Sequence, residues 1–316
     1  HARFHIGESP SRRGMATNRG PGITTERHPA DEEGVLRPDG PLNLLPLALY
    51  AAAVVVYAIH FAKRQPSVGR TATTLLLLGV LAHTFVIGMQ TMEVRHVPFS
   101  NTSTAVSSFV WMLALSYLYL EVTTDERAMG VFIVPILVGL QTIPAINPGI
   151  DYRDPVLDSP WFWVHVTSLL FAYATFALAA MLGLTYVLQF KEIKKKHLGY
   201  FYTRLPSLHV LDAMNSRAVA VGWLFLTIGV VVGVVWAAQA LAQTPDNSNL
   251  RAMSLQDPKI FIAVLTWAVY SFAMFARKTL GWTGRRAAWL SAVGFVIVLL
   301  NFLPVSYFVT TSHTFQ

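Results

Sequence analysis

The sequence predicts an all-α polytopic membrane protein with about eight transmembrane helices and both termini on the outer (periplasmic) side. Hydrophobic residues make up 53% of the 316 residues and charged residues only 13%, whereas a soluble domain carries about 25% charged residues. The apolar residues also fall in runs of the roughly 20 residues that a helix needs to cross a bilayer. Finally, the basic residues collect in alternate loops between these runs, as in multi-pass membrane proteins.

Two regions are distinguished by composition. Residues 1–41 are rich in Gly, Pro, Arg and Glu, and we expect this polar tail to be disordered unless a partner binds it. Residues 42–316 are expected to form a single transmembrane domain, helical throughout its spans because lipid offers no partner to backbone N–H and C=O groups. The eight apolar spans are 42–62, 72–91, 104–121, 129–146, 161–189, 217–242, 259–276 and 287–309. The fifth span is long enough to project beyond the bilayer.

The loop charges predict the orientation of the chain. Thirteen Lys and Arg residues lie in or beside the odd-numbered loops: Lys63, Arg64, Arg70, Arg127, Lys191, Lys194, Lys195, Lys196, Arg204, Arg277, Lys278, Arg285 and Arg286. The even-numbered loops hold only Arg95, Arg153 and Arg251. The odd loops are therefore expected in the cytoplasm. The net charge of +7 reflects this distribution, so it indicates contact with the lipid bilayer and not nucleic-acid binding.

The chain contains no cysteine. This excludes disulfides, thiolate metal sites, a CxxC redox pair and haem bound to this chain by thioethers.

Three histidines are expected at the outer face, although they lie far apart in the sequence: His96, His165 and His313. Neutral imidazole is a good iron ligand, and two such histidines on different helices could hold one haem iron between them. Paired imidazoles leave no open coordination position, which suits holding haem more than oxygen chemistry. The alternative, that these are amphipathic residues at the membrane edge, stays open on spacing alone.

Several polar and aromatic residues near the same face allow two interpretations. Trp161, Trp163 and Trp236 could line a haem platform, but tryptophans near span ends also form the aromatic belt of membrane proteins. Asp257 and Pro258 are explained by capping of the seventh helix. Lys259 is less expected at an outer helix start, where it opposes the helix dipole, and a nearby anion such as a haem propionate would explain it.

Taken together, these segments resemble the cytochrome c assembly protein family, most closely its CcsA (ResC) branch. The resemblance covers most of the membrane region. It is carried by residues 81–84, 95–101, 163–166, 211–217, 222–229, 233–237, 257–259 and 281–288, and by His313.

The resemblance implies a specific function. Non-covalent, b-type haem would be held at the outer face between His165 and His313, beside Trp163 and Trp236, for delivery to apocytochrome c. Asp257, Lys259 and His96 would be further haem-binding residues. A ResB-like membrane partner is implied, in the inner membrane of a bacterium. The chain would be at most the haem-presenting half of a cytochrome c synthase, because it lacks a complete catalytic set.

Two departures from the family pattern support an alternative. The tryptophan-rich box is degraded, since no Trp or Tyr lies between Trp236 and Asp257. Phe275 stands where the family has a membrane-embedded histidine. A non-catalytic relative is therefore the alternative, either a HemX-like regulator or a structural membrane subunit of an electron-transfer complex. A transporter is least favoured, because no acidic residue is expected deep in a span.

Overall fold

The computed structural model describes residues 41–94, 98–99, 101–148, 159–196, 199, 202–243 and 258–302. These residues form eight α-helices: α1 (Leu44–Lys63), α2 (Pro66–Val94), α3 (Thr102–Thr124), α4 (Gly130–Ile146), α5 (Pro160–Lys194), α6 (Leu208–Gln243), α7 (Pro258–Thr279) and α8 (Arg285–Phe302). Two short 3₁₀ turns, Pro41–Asn43 and Tyr202–Arg204, complete the secondary structure of the described residues, which contain no strand. The all-α prediction is confirmed.

Each predicted span corresponds to one helix. Among the described residues, α1, α2, α3, α5, α6 and α7 are long and apolar enough to cross a membrane. Helix α4 is apolar but shorter, at 17 residues, and α8 is described over 18 residues. The chain is therefore a multi-pass membrane protein by the length and composition of six helices. The placement of both termini outside remains a prediction.

The helices α2 and α6 begin earlier than the hydropathy pattern predicts. They start at Pro66 and Leu208, instead of at residues 72 and 217. Helix α6 has 36 residues and is about 54 Å long, which exceeds the roughly 30 Å hydrocarbon core. Hydropathy indicates only the part of a helix that lies in lipid. The polar first turns of α2 and α6 therefore fell outside the predicted spans. Helix α5, with 35 residues, likewise extends beyond the bilayer as expected.

The helices pack in two groups, α1–α4 and α5–α8. Helix α3 joins the groups by packing against α5 and α6, and the most extensive interface of all is between α5 and α6. Helix α5 buries a series of small residues: Ala172, Ala174, Ala177, Ala179 and Gly183. Small residues let membrane helices approach closely, and a Cβ at Gly183 would lie 2.7 Å from the carbonyl oxygen of Ala288 on α8. Helix α5 is thus held firmly between its neighbours.

The odd-numbered loops meet at one face of the bundle. The Nη2 of Arg64, after α1, donates to the carbonyl oxygen of Thr203, in the α5–α6 connection, at 2.8 Å. The Nη1 of Arg217 on α6 donates to the carbonyl oxygen of Thr123 at the end of α3, also at 2.8 Å. These contacts agree with the prediction that the basic loops share one side of the membrane.

Among the described residues of the bundle one acidic side chain is buried, and it lies near the end of its span instead of deep within it. Glu121, near the end of α3, is fully buried. It accepts hydrogen bonds from the Tyr57 hydroxyl, at 2.7 Å, and from the Thr73 hydroxyl. Arg127 donates to the same Thr73 oxygen at 3.1 Å. The carboxyl group is therefore satisfied by residues of α1 and α2 that are distant in sequence, and it joins the basic-face ends of three helices.

The pair Asp212–Arg277 is expected to stabilise the other helix group. Nη1 and Nη2 of Arg277 donate to the Asp212 carboxylate, at 3.1 and 2.7 Å. The backbone N–H of Gly284 donates to the same carboxylate at 2.9 Å. We expect Asp212→Ala to lower the free energy of unfolding by about 2–3 kcal/mol, as for hydrogen bonds to a charged group. Denaturant unfolding of the purified protein, followed by tryptophan fluorescence, measures this.

The matched control is Asp125→Asn, because Asp125 has a left-handed backbone (φ of 53°) that asparagine also tolerates. Asp125 also pairs with an arginine, Arg127, but its side chain is 84% exposed, and exposed ion pairs contribute little. Equal losses for the two variants would contradict the stabilising role of Asp212.

Candidate functional site

His165 lies near the start of α5, within two turns of Pro160. The preceding residue, Ser159, is extended, and proline at the first position suits a helix start. The imidazole is partly buried against α6. Of the outer histidines predicted as iron ligands, this is the one that the structure describes.

The imidazole of His165 is oriented by a backbone carbonyl. Its Nδ1 lies 2.7 Å from the carbonyl oxygen of Gly229 on α6. A carbonyl oxygen only accepts, and its second lone pair is available in a helix, so Nδ1 is the protonated nitrogen. Nε2 then carries the lone pair, and it has no hydrogen-bond partner among the described residues. Histidines that bind metals are commonly held in this way, with the other ring N–H on a carbonyl.

Two glycines of α6 make this contact geometrically possible. Gly229 and Gly233 form a GxxxG pair, the spacing that allows close helix packing in membranes. A Cβ at Gly233 would lie 2.3 Å from Nδ1 of His165, and one at Gly229 would lie 2.8 Å from Cδ2 of Leu169. The ridge formed by His165 and Leu169 therefore fits the glycine groove. This role of the two glycines was not predicted, although their GxxxG spacing is a signal that could have indicated it.

Aromatic rings pack around the first turn of α5, which precedes His165. Phe162 packs against Trp236 of α6, with ring centroids 5.0 Å apart, and against Trp163, at 5.2 Å. Trp236 is only 5% exposed, so most of its ring is occupied in the α5–α6 interface. The structure thus brings together Trp163, His165 and Trp236 of the predicted site.

The remaining predicted site residues cannot be placed with them. His96, Asp257 and His313 lie outside the described residues, and Lys259 is described only as part of the α7 backbone. The pairing of His165 with His313 therefore stays a prediction.

The family model for cytochrome C assembly proteins matches residues 44–313, which is most of the chain. The chain belongs to the cytochrome c assembly protein family. The resemblance noted in the sequence is confirmed.

Several similar proteins bear the same name, cytochrome c biogenesis protein CcsA. The one from Guillardia theta is 28% identical over 259 residues, covering 76% of this chain and 83% of the relative. The one from Trieres chinensis is 23% identical over 301 residues, covering 85% and 94%. The one from Gloeobacter violaceus is 24% identical over 331 residues, covering 86% and 95%. The similarity therefore extends over nearly the full length of these relatives.

Two positions inside the membrane bear on the family pattern, Phe275, which departs from it, and His83, which agrees with it. Phe275, at the position of the expected membrane-embedded histidine, is 54% exposed on α7 and faces away from the packed helices. His83 on α2 is fully buried. Its Nδ1 lies 3.2 Å from the Tyr50 hydroxyl and its Nε2 lies 2.9 Å from the Ser107 hydroxyl. Both ring nitrogens of His83 are therefore engaged, and the structure gives this histidine a packing role.

A substitution at His83 tests that role. We expect His83→Ala to reduce the free energy of unfolding by about 2–4 kcal/mol, because it leaves a cavity and removes the partners of two buried hydroxyls. Haem bound at the outer face should be unaffected. Unfolding midpoints and haem content of the purified variant check both expectations. Loss of haem from a variant of unchanged stability would show that His83 is a ligand instead.

Proposed function

We propose that this chain acts in cytochrome c assembly by holding haem at the outer face of the membrane, between His165 and His313, for delivery to apocytochrome c. The observation that supports this most is the hydrogen bond from Nδ1 of His165 to the carbonyl oxygen of Gly229. This hydrogen bond fixes the orientation of the neutral imidazole and leaves the lone pair of Nε2 to bind a metal. Membership of the cytochrome c assembly family supplies the chemical context.

Several residues of the chain would bind the haem together. His165 is fixed on a long, well-packed helix, so its ring loses little freedom when it binds iron. Phe162 and Trp163 offer apolar surface near the ring, and Lys259, at the start of α7, would pair with a propionate. With His313 as the second ligand, two imidazoles would hold the haem, and this would leave no open coordination position for side reactions. The absence of cysteine means that haem would be held non-covalently and could leave.

The other components of the reaction are also proposals. We infer a ResB-like membrane partner that presents apocytochrome c, whose CxxCH thiols would add to the haem vinyl groups. The predicted orientation places this step on the periplasmic side of a bacterial inner membrane. His96 and Asp257 would lie on that same side, in the two loops that flank the site.

The function is tested by covalent haem attachment to an acceptor. The chain would be expressed with its partner and an apocytochrome c, and haem that remains on the acceptor after denaturing electrophoresis would be measured. We expect His313→Asn to abolish attachment, and His209→Asn, an exposed histidine at the opposite end of the bundle, to leave it intact. Full attachment by a chain that never carries haem would contradict the proposal.

A second function is favoured by two observations, the loss of aromatic residues between Trp236 and Asp257 and the outward-facing Phe275. They suit a non-catalytic relative, either a HemX-like regulator or a structural subunit of an electron-transfer complex. In that case the chain co-purifies in fixed proportion with such a complex, and histidine substitutions leave haem attachment unchanged.

A further inference from the structure

An apolar groove lies where α3 packs against α5 and α6, at the junction of the two helix groups. Its volume is about 330 Å³, within the range of about 300–1,000 Å³ typical of small-molecule sites. Along α6 it extends from Ala218 to Phe225, which is roughly 10 Å. Most of its surface comes from six large apolar side chains, two from each helix: Leu115, Leu120, Phe171, Leu178, Val221 and Phe225.

The hydroxyl groups of the lining are already engaged within their own helices. The Ser116 hydroxyl donates to the carbonyl oxygen of Met112 at 2.7 Å, and the Thr175 hydroxyl donates to that of Ala172 at 2.8 Å. Tyr119 brings a further hydroxyl, on a side chain that is 49% exposed at the edge of the groove. The groove therefore offers its occupant a hydrocarbon surface and suits a hydrocarbon chain.

Arg217 lies at the basic-face end of this groove. On α6 it precedes Val221 and Phe225 by one and two turns, so the three residues share one face of the helix. Its Nη1 donates to the carbonyl oxygen of Thr123 at 2.8 Å, and Thr123 follows Tyr119 by one turn of α3. The guanidinium thus bridges α6 and α3 directly beyond the apolar lining.

The charge of Arg217 is exposed and is not neutralised by another side chain. Its printed contact is with the Thr123 carbonyl, and no carboxylate pairs with it within the ranges that the structure describes. Two acidic residues of the basic face pair with other arginines, Asp212 with Arg277 and Asp125 with Arg127. The remaining N–H donors of this guanidinium are therefore available to an anion.

The predicted spans place this guanidinium at the level of the lipid headgroups. The sixth apolar span begins at residue 217, and the third ends at residue 121. Side chains lean toward the N terminus of their helix, which for α6 is the basic face, so the arginine head points toward the headgroups. Because lipid tails are as apolar as the groove, the groove alone would not select its occupant. The arginine adds a preference for phosphate.

We propose that this groove binds one acyl chain of an anionic phospholipid, and that Arg217 pairs with the phosphate of that lipid. The lipid would contact α3 of the first helix group and α5 and α6 of the second, and it would stabilise the junction between them. The proposal does not rest on haem binding, because none of the groove residues belongs to the proposed haem site.

The test measures which lipid the full-length protein retains. Protein purified in mild detergent and stripped of lipid is incubated with equal amounts of phosphatidylglycerol and phosphatidylcholine, and bound lipids are counted by native mass spectrometry. We expect one phosphatidylglycerol per chain, retained roughly fivefold over phosphatidylcholine, whose choline offsets the phosphate charge. This factor corresponds to one arginine near an anionic membrane surface. Arg217→Gln should remove the preference.

Arg70→Gln is the matched control for the charge. Arg70 is also exposed at the basic face, but it lies on α2, away from the groove. Its replacement should leave the preference for phosphatidylglycerol unchanged. An equal loss of preference in Arg70→Gln and Arg217→Gln would mean that the whole basic face attracts anionic lipid, and the proposal would be wrong.

Val221→Phe tests the apolar part of the site. The larger side chain fills the groove, so we expect phosphatidylglycerol to be no longer retained. Val234→Phe makes the same change where α6 is 66% exposed and outside the groove, and it should retain the lipid. If Val221→Phe does not fold, the lipid preference of the unmodified chain and its loss in Arg217→Gln still decide the proposal.

The unfolding midpoint of the same samples gives a second measurement. Phosphatidylglycerol should raise the midpoint of the unmodified chain, because a ligand of the folded state stabilises it, and should not raise that of Val221→Phe. Inorganic phosphate at the same concentration should have no effect, since it has no acyl chain. Protection by phosphate alone, or retention of a neutral isoprenoid that is indifferent to Arg217→Gln, would overturn the proposal.

Discussion

The substitution His165→Asn is expected to remove haem from the outer face while the bundle stays folded. Asparagine can still donate from its side-chain amide to the Gly229 carbonyl, which the histidine contacts at 2.7 Å, but it has no nitrogen in the place of Nε2. Haem affinity should fall by more than about 100-fold, the upper end of what loss of an indirect partner causes. Haem content after purification and a haem titration measure this change.

A comparison with His165→Ala separates ligation from packing. Alanine removes both the ligand and the hydrogen bond, so we expect the same loss of haem together with a loss of about 1–3 kcal/mol of stability, because the ring is partly buried against α6. His165→Asn should retain most of that stability. If His165→Asn binds haem like the unmodified chain, His165 is not the ligand.

Gly233→Val should abolish haem binding at the outer site, although it changes no ligand. Even the first added carbon would lie 2.3 Å from Nδ1 and 2.5 Å from Cε1 of His165, far inside contact distance. The imidazole must rotate away from α6 or the helices must separate, and either movement breaks the bond to Gly229. Overpacking of this kind costs about 1–3 kcal/mol. Haem content and the unfolding midpoint, measured on the same preparation, report the two effects.

Two other glycines serve as controls for Gly233. A Cβ at Gly88 of α2 would have no neighbour within 4 Å, so Gly88→Ala should bind haem normally. A Cβ at Gly229 would meet the end of the Leu169 side chain at 2.8 Å, which can move, so Gly229→Ala should have an intermediate effect. A normal haem content in Gly233→Val would contradict the claim that this glycine positions His165.

The sequence predicted the helices well because the physical signal is strong. Each crossing needs about 20 apolar residues, and the eight runs each became a helix. The ends were less accurate, as at Leu208, because polar turns that continue a helix beyond lipid carry no hydropathy signal. The assignment of His165 to the outer end of the fifth span depended on loop charges and on the family resemblance.

Other features could not be predicted because they depend on contacts between distant residues. Glu121 is near the end of a span in the sequence, and only the fold shows that Tyr57 and Thr73 enclose it. The Gly229 carbonyl that orients His165 is a backbone atom, and side-chain patterns do not report it. His60 and Arg204 are far apart in the sequence, and only the fold shows that both line one cleft at the basic face of the bundle.

The most direct test of the outer site is the absorption spectrum of the purified chain, with and without His313→Ala. Two imidazole ligands predict a six-coordinate, low-spin haem spectrum in the unmodified chain, and the loss of His313 should convert that spectrum to a five-coordinate form or remove the haem. A six-coordinate spectrum that is unchanged by His313→Ala would contradict the account.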